Sequence, residues 1–250
     1  MATPVAVLVH GYLGDGSRWR TTGIVYSLTE AGWQDNGHLL PSGPLSTPKR
    51  PLTANQVGYL YTLTLPSEAP IPIQSQWLNF YLEQLQLRHS KAEFILIGHS
   101  AGGVAARLTL VQYTHLPIVG LITIASPHLG SEKAELGFAL SNSPLSILAP
   151  FWGLDTLNRS EELYRDLVRE SPATPLFWLN RQPHPPILYA AIIRLGADRW
   201  VAPYSQDLNE VPALQGQATI VTTVGKHGLH PADAAPLTAL LETFLAKMGE

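Results

Sequence analysis

Apolar residues concentrate in short continuous runs that are separated by segments of mixed polarity. Runs rich in Val, Ile or Leu without clean alternation are typical of strands buried on both faces of a parallel sheet. The predicted strands of this kind are residues 5–10, 94–98, 118–125, 187–194 and the more polar 218–224. Residues 57–65 alternate better between apolar and polar positions, so we expect them to form a less covered strand.

Segments with helical spacing lie between these runs. The predicted helices are residues 18–31, 74–89, 102–113 and 231–247. Ser17 stands where the first helix would have its N-cap, and Gly32 stands just past the end of that helix. Strands that alternate with helices predict an α/β domain with a mostly parallel, doubly wound sheet and right-handed crossovers.

Two segments interrupt this alternation. Residues 41–51 form a proline-rich loop, and residues 129–186 form a long connection between two predicted strands, with a helical patch at 160–169. A connection of that length is usually functional. We therefore expect residues 1–250 to form a single domain in which 129–186 is an inserted cap or lid. The alternative is extra packing without a role.

Composition excludes several kinds of site. Charged residues make up 14% of the 250-residue chain, whereas about 25% is usual. A formal net charge of -3 argues against a nucleic-acid partner. The chain has no cysteine, which excludes disulfides and thiolate metal sites. Its histidines lack metal-ligand spacing with carboxylates, so we expect no metal and no organic cofactor.

The apolar runs are too short to cross a bilayer. The run at residues 187–193 is among the longest, whereas a spanning helix needs about 20 apolar residues. The beginning of the chain has no basic segment ahead of an apolar one, so it does not read as a signal peptide. These features predict a soluble, cytoplasmic protein.

Residues 98–102, Gly-His-Ser-Ala-Gly, follow a predicted buried strand and precede a predicted helix. This context is that of a nucleophile elbow, a sharp strand-to-helix turn that exposes a serine. Gly98 and Gly102 fit it because strand and helix approach too closely there for larger side chains. The turn would expose Ser100 as the nucleophile and aim the N–H of Ala101 at the reacting oxygen. The alternative is a glycine-rich loop with an idle serine.

The pentapeptide, LVHGYLG at residues 8–14 and TIASPHLGS at 123–131 together resemble the lipase- and esterase-like members of the α/β-hydrolase superfamily. The set is also similar to the GPI inositol-deacylase-like hydrolases of plants and cyanobacteria. The resemblance covers nearly the whole chain except the insertion, and it implies an α/β-hydrolase fold. It further implies that the backbone N–H of Tyr12 is the second oxyanion donor beside Ala101, and that His10 is structural.

The acid of a catalytic triad is expected after a later strand. Asp198 lies in GADRWVAP, residues 196–203, which resembles the family's Gly-x-Asp-x-x-Val-x-Pro loop. In that loop the aspartate orients the catalytic histidine. Asp207 is the alternative acid.

Two histidines in KHGLHP, residues 226–231, compete for the role of base. The resemblance favours His227, because the family's histidine lies about 17 residues before a terminal Phe-Leu pair, here Phe244-Leu245. His230 is the alternative. Ser100, Asp198 and His227 follow the chain order of this fold.

The expected reaction is hydrolysis of a carboxylic ester through an acyl-enzyme intermediate. An imidazole must accept the serine proton during attack, and the aspartate stabilises the imidazolium. Serine at position 100 argues against epoxide and alkyl-halide hydrolysis, for which related enzymes place an aspartate at the elbow. The alternatives are an acyl-lipid or GPI-type deacylase, a thioesterase, and an inactive hydrolase fold that acts as a ligand receptor.

The substrate is expected to be a small-molecule or lipid ester. Trp152 and Trp178 lie in the insertion and could line an acyl pocket or contact a membrane surface transiently. The alternative for each is a place in the core of the cap. The sequence leaves the oligomeric state open.

Overall fold

A single parallel sheet organises the computed structural model, which describes residues 2–40, 51–141 and 159–248. Its strands are β1 (Thr3–Val9), β2 (Trp33–Leu39), β3 (Gly58–Leu63), β4 (Ala92–His99), β5 (Ile118–Ile124), β6 (Leu188–Gly196) and β7 (Ala218–Gly225). Their order is β2-β3-β1-β4-β5-β6-β7, and every neighbouring pair is parallel. The predicted α/β class with a parallel, doubly wound sheet is confirmed.

Helices connect the strands. Within the described ranges they are α1 (Ser17–Thr21), α2 (Ile24–Glu30), α3 (Ile71–Arg88), α4 (Ala101–Gln112), α5 (Glu132–Ser141), α6 (Glu161–Leu167), α7 (Pro175–Leu179), α8 (Pro203–Gln206) and α9 (Ala234–Met248). None of the helices in the described part of the chain is long and apolar enough to cross a membrane.

Each face of the sheet carries its own apolar core. In β1, Val5, Val7 and Val9 pack in a cluster with side chains of α3 and α4. Ala6 and Leu8 pack in a second cluster with side chains of α1, α2 and α9. Because alternate residues of a strand point to opposite faces, a strand covered on both sides reads as a continuous apolar run. This arrangement explains why the parallel strands were visible as such runs.

The expectation of a less covered strand at 57–65 is wrong. All six residues of β3 are buried, because its side chains enter the cores on both faces: Tyr59, Tyr61 and Leu63 pack in the first cluster and Leu60 in the second. Its polar groups are satisfied inside: the hydroxyl of Tyr61 bonds to Asn36 and His89, at 2.8 Å each. The alternation therefore reflects internal hydrogen bonding and not exposure.

The edge strand β2 was not predicted, because its sequence WQDNGHL is mostly polar. The structure supplies partners from elsewhere in the chain. Arg20 of α1 forms a bidentate ion pair with Asp35, at 2.6 and 2.8 Å. Polar residues can occupy this edge because distant side chains satisfy them, and a pattern along the strand itself cannot show that.

The single helix predicted over 18–31 is two helices. Gly23, with φ of 78°, ends α1 and begins α2 in the left-handed region. Ser17 lies inside α1 and not at its N-cap, which is Gly16. Gly32, with φ of 92°, follows the end of α2 as expected. The predicted last helix starts with a 3-10 turn, Pro231–Asp233, before α9.

The inserted segment contributes α5, α6 and α7, where the sequence showed one helical patch. Leu163, Leu167, Leu176 and Leu179 of α6 and α7 pack against the beginning of α4, which follows the elbow, in a third apolar cluster. Residues 142–158, including Trp152, lie outside the described residues, as do residues 41–50 of the predicted proline-rich loop at 41–51. The described part of the insertion thus covers the elbow helix.

The strand order places a crevice beside β1. The chain leaves β1 for β2 and β3 on one side, and continues with β4 to β7 on the other. Loops that leave neighbouring strands in opposite directions open a crevice at the carboxyl ends of those strands, where α/β proteins bind ligands. The loops after β1 and β4 carry His10-Gly11-Tyr12 and Ser100 respectively.

Candidate active site

Ser100 sits on a strained turn between β4 and α4. Its φ of 53° and ψ of -129° lie in a region that residues with a side chain rarely adopt. A backbone of this kind costs about 1–3 kcal/mol and persists only where its surroundings enforce it. The Ser100 N–H donates to the carbonyl of Ile124 on β5, at 2.9 Å. The turn is therefore tied to the neighbouring strand.

Glycines at the elbow are required by close backbone approach. A Cβ at Gly98 would lie 2.4 Å from the Cα of Gly103, and a Cβ at Gly102 would lie 2.2 Å from the carbonyl oxygen of His10. A Cβ at Gly11 would lie 2.7 Å from the Cβ of Ser100. The loop after β1 thus packs directly on the elbow, with no room for a side chain between them.

The structure brings Ser100, His227 and Asp198 into one hydrogen-bonded chain. The Ser100 hydroxyl donates to Nε2 of His227 at 2.8 Å. Nδ1–H of His227 donates to Oδ2 of Asp198 at 2.8 Å. The second bond leaves Nε2 as the acceptor, which is the tautomer that a general base for the serine needs.

The alternative base, His230, and the alternative acid, Asp207, lie in other contacts. The backbone N–H of His230 donates to Asp233 at 2.8 Å, where His230 caps the 3-10 turn Pro231–Asp233. The carboxylate of Asp207 accepts from the backbone N–H of Asn209 at 2.8 Å, at the start of another 3-10 turn. Both residues have structural capping contacts, and neither contacts Ser100 or His227 in the described hydrogen bonds.

Asp198 is buried yet ionised. Its side chain is 1% exposed, and this burial acts to raise the pKa of the carboxyl. Hydrogen bonds from His227 and from the backbone N–H groups of Trp200 and Val201 outweigh it and hold the pKa of Asp198 below its usual value. The two backbone bonds measure 2.8 and 3.1 Å. The carboxylate is therefore available to stabilise a positive charge on His227.

Gln206 supports Asp198 and carried no signal in the sequence. Its Nε2 donates to Oδ2 of Asp198 at 3.1 Å and to the carbonyl of Val201 at 2.7 Å. Its Oε1 accepts from the backbone N–H of Arg194 at 2.7 Å. This buried amide on α8 joins the loop that carries Asp198 (residues 196–203, the acid loop) to the end of β6.

A buried ion pair holds the loop that carries His227. Arg194 and Asp233, each 1% exposed, form a bidentate pair at 2.5 and 2.6 Å. Arg194 also donates to the carbonyl of Gly228 at 3.4 Å. Sequence reasoning missed this pair because its members are far apart in the chain.

His99, next to Ser100, contacts the backbone of His227. Burial, helped by the neighbouring His227, lowers the pKa of His99 to about 3, so its ring is neutral. Its Nε2–H donates to the backbone carbonyl of His227 at 2.9 Å. The ring does not line the cleft at Ser100.

His10 shapes the loop after β1, as the resemblance implied. Its Nδ1–H donates to the carbonyl of Gly11 at 2.9 Å, and its Nε2 accepts from the N–H of Leu65 at 2.8 Å. Burial lowers the pKa of His10, so the ring stays neutral with both nitrogens bonded. This loop presents Tyr12 at the cleft, opposite Ala101. As the first residue of α4, Ala101 has an N–H without an acceptor inside the helix.

Ser100 and His227 open into a cleft of about 430 Å³ with mostly apolar walls. Leu163 and Leu167 of α6 form one wall, and Trp200 and Val201 of the acid loop form another. The ring of Trp200 lies over that of His227, with centroids 6.2 Å apart and planes at 29°. Trp200 belongs to the GADRWVAP segment, in which the sequence predicts a role for Asp198 alone.

The structure does not bring Trp178 to this cleft. Trp178 lines a separate apolar cleft of about 390 Å³, together with Ile71, Val104 and Leu108. Tyr164 of the inserted segment does line the cleft at Ser100, and its hydroxyl bonds to that of Tyr12 at 2.6 Å. Periodicity had marked the helix of Tyr164 but could not show which side chain faces the elbow. The described residues contain no group of three or more His, Asp or Glu side chains that could hold a metal.

Comparisons with known proteins agree with this architecture. Residues 6–242 match the model of the Alpha/beta hydrolase family. The comparison with curated proteins finds no match. The product of gene lin2722 from Listeria innocua has a similar solved structure, with a TM-score of 0.62 and 16% identity, over 98% of this chain and 94% of that one.

Two further structures are similar over nearly their full lengths. The mature lipase BlEst2 of Bacillus licheniformis has a TM-score of 0.58 and 16% identity, over 96% of this chain and 92% of that one. A bromoperoxidase from Bacillus anthracis has a TM-score of 0.60 and 16% identity, with 98% and 92% covered. Identities this low show a shared fold alone.

Proposed function

The chain belongs to the alpha/beta hydrolase family, and from that premise we propose that it is a serine hydrolase that cleaves carboxylic esters. The observation that carries the proposal is the continuous hydrogen-bonded chain from Ser100 through His227 to Asp198 at the mouth of an apolar cleft. The bond from Nδ1–H of His227 to Asp198 leaves Nε2 to accept the serine proton, and the carboxyl of Asp198 has a lowered pKa.

The first half of the reaction forms an acyl-enzyme. Oγ of Ser100 attacks the ester carbonyl carbon while Nε2 of His227 takes the hydroxyl proton. The ionised Asp198 stabilises the imidazolium that results. His227 then gives its proton to the alcohol oxygen as the carbon–oxygen bond breaks, so the alcohol leaves neutral.

The second half repeats these steps with water. His227 takes a proton from water, whose oxygen attacks the acyl carbon, and the same proton returns to Ser100 as the acid leaves. In both halves, the N–H groups of Tyr12 and Ala101 are proposed to donate to the developing oxyanion. Loss of one such donor typically removes about 3 kcal/mol of transition-state stabilisation.

The apolar cleft is the proposed site of the acyl group. Its walls from α6 and the loop of Asp198 offer apolar contact beside Ser100, which suits a hydrocarbon chain. Residues 129–186 are proposed to act as a cap, because their helices supply one wall of this cleft. The deacylase and thioesterase alternatives would use the same chemistry, whereas an inactive receptor would not need the ordered proton path.

The test is a series of p-nitrophenyl esters from acetate to palmitate. We expect the purified protein to hydrolyse part of the series, and Ser100→Ala to abolish that activity. Ser90→Ala, at an exposed serine in the turn between α3 and β4, is the matched control and should keep it. Failure to hydrolyse any ester, or activity that survives in Ser100→Ala, would contradict the proposal.

A further inference from the structure

A second, more open cleft of about 980 Å³ borders the site. It lies between the loop after β6 and the loop after β7, and its lining includes Arg199 and Lys226. The two clefts share Trp200 and His227. The proposed acyl cleft and this second cleft therefore meet at the proposed base.

The chemistry of the proposed reaction assigns different parts of an ester to the two clefts. His227 must protonate the leaving oxygen, so the alcohol part has to lie within hydrogen-bond reach of its ring. The acyl part fits the apolar cleft, which leaves the second cleft for the alcohol. Trp200, whose ring stacks on that of His227, lines both clefts.

The side chains that line the second cleft include cationic groups and no carboxylate. Among its lining residues, only Arg199, Lys226 and His227 carry groups that become cationic, and none carries a carboxylate. Arg199 and Lys226 are exposed, and neither forms an ion pair with any described residue. The nearby carboxylate of Asp198 is buried and bonded to His227.

We propose that this second cleft is the subsite of the leaving group and that it selects esters whose alcohol part carries a negative charge, such as a phosphate. The inference rests on the proposed function, since it needs His227 as the proton donor. The guanidinium of Arg199 can bind two oxygens of a phosphate at once, while Lys226 adds a compact positive charge. The overall net charge of -3 gives no general attraction for anions, so the selection is local.

The experiment compares two substrates that differ in whether the alcohol part carries a phosphate. They are monobutyryl glycerol and butyryl glycerol phosphate, and the readout is the ratio of their kcat/KM values. The wild-type protein should favour the phosphate ester. Because both cations are exposed, we expect the ratio to fall about threefold in Arg199→Gln or Lys226→Gln and about tenfold in the double variant. Arg199→Lys should restore most of the ratio.

The control is Lys91→Gln, at an exposed lysine just before β4, at the opposite edge of the sheet from the carboxyl ends. It changes net charge equally and should keep the wild-type ratio. Salt gives a second readout, because screening acts on exposed charges. Between about 0.02 and about 0.5 M NaCl, the ratio should fall in the wild type and stay level in the double variant.

Two outcomes would overturn the inference: a wild-type ratio of one or less, or a ratio that the double variant does not change. Both would leave the proposed function intact as long as the neutral ester is hydrolysed and Ser100→Ala is inactive. If neither ester is hydrolysed, the proposed function itself fails. A further arm with dioleoyl phosphatidate vesicles distinguishes the source of the charge. Vesicle hydrolysis that falls in the double variant indicates a lipid headgroup, and an effect confined to the soluble ester indicates a small phosphate ester.

Discussion

The nucleophile side and the acid–base side of this site are held in place by different kinds of contact. Around Ser100, position is enforced by backbone packed against backbone, with glycine at 98, 102 and 11 because no Cβ fits. Around His227, position is enforced by side-chain hydrogen bonds from residues distant in the chain, such as the Arg194–Asp233 pair and Gln206.

This difference decides what each side tolerates. Backbone contact leaves almost no freedom, because a single added carbon atom meets another main chain within 3 Å. A network of buried polar groups fails in another way: removing one partner leaves the other unsatisfied, and replacing both together can be nearly neutral. The two halves should therefore respond differently to substitution.

The largest expected effect separates the two candidate bases. His227→Ala removes the ring that contacts Ser100 and should lower kcat by about 10³-fold or more, as loss of a triad member does. His230→Ala keeps the backbone N–H that bonds to Asp233 and removes a ring with no described hydrogen bond to Ser100 or His227, so it should leave kcat far less affected. The measurement is kcat on p-nitrophenyl butyrate. A larger loss in His230→Ala would move the base to His230.

Breaking the buried ion pair tests the side-chain network. Arg194→Met leaves the carboxylate of Asp233 buried without its partner and should reduce the free energy of unfolding by about 3–5 kcal/mol. The double variant Arg194→Met/Asp233→Leu removes both charges and should regain most of that loss. Urea unfolding measures each variant. A double variant no more stable than the single one would contradict the account of this pair.

Adding one carbon atom tests the backbone contact. Gly102→Ala places a Cβ 2.2 Å from the carbonyl oxygen of His10, and overpacking of this kind costs about 1–3 kcal/mol. Gly228→Ala is the matched control, since a Cβ there meets nothing within 4 Å. Thermal unfolding of the two variants should differ clearly. Equal melting temperatures would show that the elbow can relax.

The smallest expected effect is a change of stability with pH through Asp198. The pKa of Asp198 in the folded protein lies below its ordinary value of about 3.9, so the carboxylate stabilises the fold above that pH and loses its effect as pH falls through the folded pKa. The melting temperature of the wild type should exceed that of Asp198→Asn at about pH 6, and the difference should shrink below about pH 4. If the difference between the two melting temperatures does not change with pH, the stabilisation by Asp198 comes from packing and not from its charge.

Much of the fold could be predicted from the sequence because buried parallel strands are apolar on both faces. The runs at β1, β4, β5 and β6 were visible for this reason. Strand β2 was not, since Asp35 and Asn36 are satisfied by Arg20 and Tyr61 from other elements. The split of the first helix at Gly23 also escaped the apolar pattern, because one glycine in the left-handed region interrupts a helix without changing its spacing.

In the candidate site, too, the parts made of contiguous residues could be predicted and the parts made of distant residues could not. The elbow could be located because strand, glycines and helix are contiguous in the chain. The choice between His227 and His230 needed the fold, which turns the ring of His227 to Ser100 and places His230 at the start of a 3-10 turn. Trp178 was expected in the acyl pocket, yet the cleft wall from the cap is formed by Leu163, Leu167 and Tyr164.

By itself, the sequence determined the parallel α/β class, the elbow at Ser100 and the order of nucleophile, acid and base candidates. These features are local, because the residues that impose them are neighbours in the chain. Only the tertiary structure decided which histidine meets Ser100, how Gln206 and the Arg194–Asp233 pair support it, and that Arg199 and Lys226 share one cleft. Each of those contacts joins loops from different strands, and parallel strands bring such loops together at one edge of the sheet only once the chain has folded.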